Sequence, residues 1–135
     1  MSFTTALWVT AIALVVFLAI DLTWLGLVAK GTYRHFLGPI LLEKPRVGAA
    51  GLFYALFVIG LVYFAIAPAI DEHSLRTAMQ NGALYGFFTY ATFDLTCYSV
   101  LKGYPLGIVP IDMAWGTFLA FAVASSTYGA YQALT

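Results

Sequence analysis

Three aspartates, Asp21, Asp94 and Asp112, stand inside long apolar runs of this 135-residue chain. A carboxylate facing hydrocarbon costs about 2.5–3.5 kcal/mol even on lenient scales. Aspartate is also too short to reach back to water as lysine does, so the three are expected to point inward and converge. Their surroundings echo one another. Ile20-Asp-Leu-Thr-Trp-Leu-Gly returns as Ile111-Asp-Met-Ala-Trp-Gly, and more loosely as Phe93-Asp-Leu-Thr-Cys-Tyr. In the two strong copies acid and tryptophan are three residues apart, on one helix face, so Trp24 and Trp115 each carry an indole N–H one turn from a carboxylate. Tyr90 and Tyr98 flank Asp94 at four-residue spacing, and Thr96 adds a hydroxyl nearby. Crowded like charges in a poorly hydrated place raise at least one proton affinity, whereas hydroxyl donors would hold Asp94 ionised; the residues alone leave both open. The chemistry expected of such a cluster is reversible binding of a proton or cation, with at least one acid titrating near neutrality.

Each feature also has a plainer role. The acids pair with Lys30, Arg34, Lys102 or an indole and hold helices together, and the tryptophans anchor at the membrane interface. Three aspartates suit a hard cation such as Mg²⁺, but nothing in the spacing specifies one, so no metal and no cofactor is assigned. His35 and His73 fall in connections expected on opposite sides, which disfavours zinc. There is no nucleotide loop, serine elbow or zinc-protease signature. The lone Cys97 cannot form an internal disulfide and reads as a small buried hydrophobe.

The elements that must position these residues are transmembrane helices. Hydrophobic residues make up 62% of the chain and charged residues 9%, far from a soluble domain, where about a quarter are charged. About 20 mainly apolar residues cross the hydrocarbon core. Four windows qualify, Thr5 to Val28, Ala49 to Ile70, Ala78 to Val100 and Leu106 to Ala130, so the expectation is an all-α, four-transmembrane-helix bundle in a single membrane domain. The third window is the most polar, with Gln80, Asn81, Thr89, Thr92 and Thr96, which are expected to face the bundle interior. Gly82 and Gly86, like Gly116, Ala120 and Ala124, form small-residue stripes for close helix contact. The first window follows an uncharged Met1-Ser-Phe-Thr-Thr and is read as a retained span, not a cleaved signal. In the long connection from Ala29 to Gly48, charges surround Phe36-Leu-Gly-Pro-Ile-Leu-Leu, the pattern of a segment lying at the interface. Asp71 or Ser74 is placed to cap the third helix.

Net charge is zero, so there is no basic stripe for a phosphate backbone and nucleic acid is not an expected partner; membrane lipid is. Lys30, Arg34, Lys44, Arg46 and Lys102 fall in the first and third connections against Arg76 in the second. The positive-inside rule then puts connections one and three in the cytoplasm and both termini outside. With four alternating helices, the aspartates lie at one level, each roughly 9–10 Å inside its helix end. The strong echo joins helices running in opposite directions, as inverted repeats in secondary transporters do.

These motifs, with Tyr90-Ala-Thr-Phe-Asp-Leu-Thr, Phe53-Tyr, Ala67-Pro-Ala and Lys102-Gly-Tyr-Pro, resemble a bacterial family catalogued as a domain of unknown function, number 2177. The resemblance covers nearly the whole chain. It implies a bacterial inner-membrane protein and brings no activity with it. The family pattern has asparagine where this chain has Cys97, so that amide is missing, and tryptophan is common where Tyr104 stands. Three functions fit the residues: a small transporter or permease, expected to dimerise; a membrane-embedded enzyme acting on a lipid or isoprenoid group; and an accessory subunit whose acids meet a partner helix. A polar cavity reaching midplane favours the first. A cavity open to lipid, with acids within about 4 Å, favours the second. An outward-facing acid and no cavity favours the third.

Overall fold

The computed structural model describes residues Met1–Thr135 as an all-helical chain of five joined helices. Helix α1 covers Phe3–Val28, α2 Lys30–Leu37, α3 Val47–Glu72, α4 Leu75–Val100 and α5 Ile108–Leu134. Three of them, α1, α3 and α5, are long and apolar enough to cross a membrane. This corrects the expected count of four. Helix α4 has the length, at 26 residues, but Arg76, Gln80, Asn81 and its threonines leave it too polar to qualify. Nor do those residues gather inside the bundle: Gln80, Thr92 and Thr96 are exposed. The hydroxyls of Thr89 and Thr92 donate to carbonyls of their own helix, Tyr85 and Phe88, which satisfies them locally. The sides expected for the connections and termini, and the equal depth expected for the acids, follow only from four crossings and lose that basis with three.

Helix α1 buries a single stripe, Val9, Ala13, Phe17 and Asp21, at four-residue intervals. Its other faces are equally apolar, so the acid simply continues the one line that meets protein. Ser2 caps its start by accepting from the Thr5 N–H at 3.1 Å. Its last five residues, Trp24–Val28, form a π-helical turn closed by the Ala29 N–H on the Trp24 carbonyl at 2.7 Å. Such wide turns recur at functional sites because they re-aim side chains.

A second π turn, Val62–Ile66, lies in α3 just before Pro68. Proline has no N–H for the carbonyl four residues back, that of Phe64. The Asn81 side-chain amide on α4 donates to that oxygen at 3.2 Å. One turn away the Tyr85 hydroxyl donates to the Phe57 carbonyl at 2.9 Å, passing over Gly60, where any Cβ would collide with it.

Helices α4 and α5 run antiparallel in the closest contact of the fold. A Cβ on Gly82 would lie 2.8 Å from the Ala124 Cβ, and one on Gly86 would lie 2.7 Å from the Ala120 Cβ and nearer still to the Gly116 carbonyl oxygen. The small-residue stripes are packing surfaces. Ser74 caps α4 through the Thr77 N–H at 3.2 Å, after a left-handed turn at His73. Helix α2 turns Lys30, Arg34 and His35 outward and Tyr33, Phe36 and Leu37 inward. Phe36 packs on Gly107 in the third connection, so the first and third connections meet at one end of the bundle.

Candidate functional site

That end holds the acids. Asp21, Asp94 and Asp112 are 6%, 0% and 9% exposed, on α1, α4 and α5. Asp21 accepts from the Tyr54 hydroxyl at 3.1 Å and from the Trp115 indole N–H at 3.2 Å. Asp112 accepts from the Tyr33 hydroxyl at 2.6 Å, and that hydroxyl in turn accepts from the Trp24 indole at 3.3 Å. Asp94 accepts from the Tyr104 hydroxyl at 3.1 Å through Oδ1, and its carboxyl meets that of Asp112 within hydrogen-bonding reach. Asp94 Oδ2 is buried with no hydrogen-bond donor.

The two indoles lie flat on each other, ring centroids 4.2 Å apart and planes 7° from parallel. Each tryptophan therefore serves the acid of the opposite helix rather than the one beside it in sequence. Trp115 binds Asp21 directly, and Trp24 reaches Asp112 through Tyr33. The stack ties α1 to α5 across the acid level.

No cation answers these charges. The one ion pair in the structure joins the Met1 ammonium to exposed Asp71, 3.9 Å apart, so Lys30, Arg34 and Lys102 do not pair with the buried acids. No three His, Cys, Asp or Glu side chains lie close enough to hold a metal ion. What the acids have are hydroxyl and indole donors. Burial, and then the Asp112 carboxylate it bonds, push the Tyr33 hydroxyl above its ordinary range; burial, and then the Asp94 charge, do the same to Tyr104. Both remain donors across physiological pH.

Beside the network opens a cavity of about 510 Å³. Asp21, Asp112, Tyr33, Tyr54, Tyr90 and Tyr104 form its polar side; apolar side chains from α1 to α5 form the rest. Leu25, Ile40, Leu41, Phe53 and Phe93 belong both to its wall and to the exposed surface, so its edge is apolar. This lining makes no polar channel toward midplane, so the mark expected of a transporter of polar solutes is not met; the pocket instead suits an amphiphile that enters from lipid.

Over residues 6–129 the chain matches the family described as a predicted membrane protein, DUF2177. The chain belongs to that family. Comparison with curated proteins and with solved structures finds no match.

In this DUF2177 protein the structure sorts the residues singled out by spacing. Asp21, Asp94, Asp112, Trp24 and Trp115 meet in one network, and Tyr90 joins the cavity wall with its ring seated on Gly116. Tyr98, 46% exposed, and Thr96 point away from it. The stripe Tyr90-Asp94-Tyr98 supplies no hydroxyl to Asp94, because the Tyr90 ring lies over Gly116 on α5 and Tyr98 is exposed; Tyr104 donates instead. Sequence spacing also missed Tyr33 and Tyr54, the hydroxyl donors to Asp112 and Asp21. Both sit on other helices than the acids they serve, where no periodicity relates them. The amphipathic pattern of α2, with Tyr33 on its apolar side, was the available signal.

Proposed function

We propose that the protein is a small permease of the bacterial inner membrane that takes a lipophilic cation from the lipid and seats it against Asp21 and Asp112. The observation that carries this reading is a cavity with two carboxyls, several hydroxyls and no basic side chain, otherwise walled by aliphatic and aromatic groups. An apolar wall binds a hydrophobic body, and uncompensated carboxylates favour positive charge over neutral or anionic solutes. Aromatic faces such as Trp115, Tyr54 and Tyr90 add cation–π attraction in a desolvated place. The apolar edge favours entry from hydrocarbon over entry from water. Lys30, Arg34, Lys44, Arg46 and Lys102 all belong to the two connections that meet at this end, which favours placing the cavity toward the cytoplasm.

The enzyme reading draws support from the same apolar edge and from the contact between Asp94 and Asp112, which suits general acid and base roles toward a lipid group. Against it, Asp94 lies outside the cavity wall. The accessory reading needs an outward-facing acid and no cavity, and it has neither.

The test is saturable binding of tetraphenylphosphonium to the full chain in proteoliposomes, followed by its movement across the vesicle membrane. Wild type is expected to bind well above empty liposomes, and Asp21→Asn with Asp112→Asn together to bring binding to background. Equal binding by wild type and double variant would overturn the proposal.

A further inference from the structure

Asp94 has no place in the cavity wall, yet it is the least exposed acid of the chain. Its Oδ1 has a donor in Tyr104; its Oδ2 has none in the protein. The Asp94 side chain also meets the carboxyl of Asp112. Two ionised carboxylates both lack a hydrogen and repel, so carboxyl groups meet within hydrogen-bonding reach only when one keeps its proton and donates to the other. Gly86, two turns from Asp94, packs closely against Gly116, one turn from Asp112, so the two helices approach tightly beside the pair.

The structure assigns, we infer, a shared proton to Asp94 and Asp112, and makes that proton the one displaced when a cation settles in the cavity against Asp112. The second half rests on the proposed function; the first does not. Every titratable group facing the pair is a carboxyl, a phenol or a thiol: Tyr104 from the third connection, Cys97 from α4 itself, Tyr33 from α2, Asp21 from α1 with Tyr54 of α3 behind it, and Tyr90 from α4. None brings a positive charge, so a proton is the only cation the chain itself supplies. When an outside cation arrives at Asp112, the O–H bond of the pair breaks, its electron pair stays on the carboxylate oxygen, and the proton leaves to water. One positive charge enters and one departs, so the site keeps its net charge. This is the balance an exchanger needs.

The experiment uses infrared difference spectroscopy of the full chain in lipid nanodiscs near neutral pH, recording the protonated-carboxyl stretch. Wild type is expected to show one such band, shifted by deuterium exchange. Asp94→Asn and Asp112→Asn should each abolish it, Asp21→Asn should keep it, and Tyr104→Phe should displace it without removing it. Tyr104→Phe leaves both carboxyls in place, so it remains informative if an asparagine variant fails to fold. A wild-type spectrum without the band, or a band that follows Asp21, overturns the shared proton. Tetraphenylphosphonium carries no proton of its own, so adding it should erase the band and release one proton per cation to a pH indicator. Binding that leaves the band intact overturns the displacement while sparing the cavity as a cation site. Absence of binding with the band present overturns the proposed function, and the displacement with it, while the shared proton stands.

Discussion

Replacing Gly86 with alanine adds a single methyl group where α4 and α5 already touch. That Cβ would lie 2.7 Å from the Ala120 Cβ, 2.9 Å from the Gly116 carbonyl carbon, and nearer still to its oxygen. Real Cβ atoms essentially never approach below 3.0 Å, and the obstacle is backbone rather than the end of a flexible side chain. The helices must therefore separate. Two terms oppose each other. Alanine gains about 0.5–1 kcal/mol over glycine within a helix, and overpacking a close contact costs about 1–3 kcal/mol. Because a backbone carbonyl cannot rotate aside, the upper part of that range applies, and the net expectation is destabilisation by about 1–2 kcal/mol. Gly129 on α5 is the control, since a Cβ there meets nothing within 4 Å; Gly129→Ala is expected to stabilise by about 0.5–1 kcal/mol. Unfolding of both variants in mixed micelles, followed by tryptophan fluorescence, measures the pair. If Gly86→Ala is as stable as wild type or as Gly129→Ala, the close α4–α5 contact is wrong, and with it the account of how Asp94 is held to Asp112.

Two further outcomes follow from the same geometry. The Tyr33 and Tyr104 hydroxyls have proton affinities raised above the ordinary value of 10.0 by burial and neighbouring carboxylates, so the folded state favours their neutral form. Their contribution is complete below pH ~10 and is lost as the pH rises above it toward their folded values; melting temperature against pH should fall there more steeply for wild type than for the Tyr33→Phe, Tyr104→Phe double variant, and parallel curves would refute it. Asn81→Leu should cost about 1 kcal/mol by leaving the Phe64 carbonyl without its donor. Pro68→Ala, which restores a backbone N–H, should reduce that loss in an unfolding titration, and an undiminished loss would count against the pairing.

Much of the architecture is legible in residue types. The apolar windows predict α1, α3 and α5, and the glycine and alanine stripes predict close helix contact, which the structure places between α4 and α5. Ser74 proves to be the cap. The fourth crossing fails for a visible reason: Arg76, Gln80, Asn81 and several threonines lower the apolar character of α4, and in place of a polar core Thr89 and Thr92 turn to carbonyls of their own helix, Asn81 to the Phe64 carbonyl of α3, and Arg76 and Gln80 to the exposed surface.

Sequence alone determined that Asp21, Asp94 and Asp112 require enclosure, because the cost of a charge in hydrocarbon depends on the residue and its apolar surroundings, not on the fold. Which donors meet them was decided only by tertiary structure. Helices that are apolar on every side carry no periodicity to show which face turns inward, so Tyr54 beside Asp21 and the crossed service of Trp24 and Trp115 arise from packing across the bundle. The same holds for Asp94 against Asp112. Their contact depends on how closely two antiparallel helices approach, a distance set by Gly82, Gly86 and Gly116 together and by no local stretch of chain.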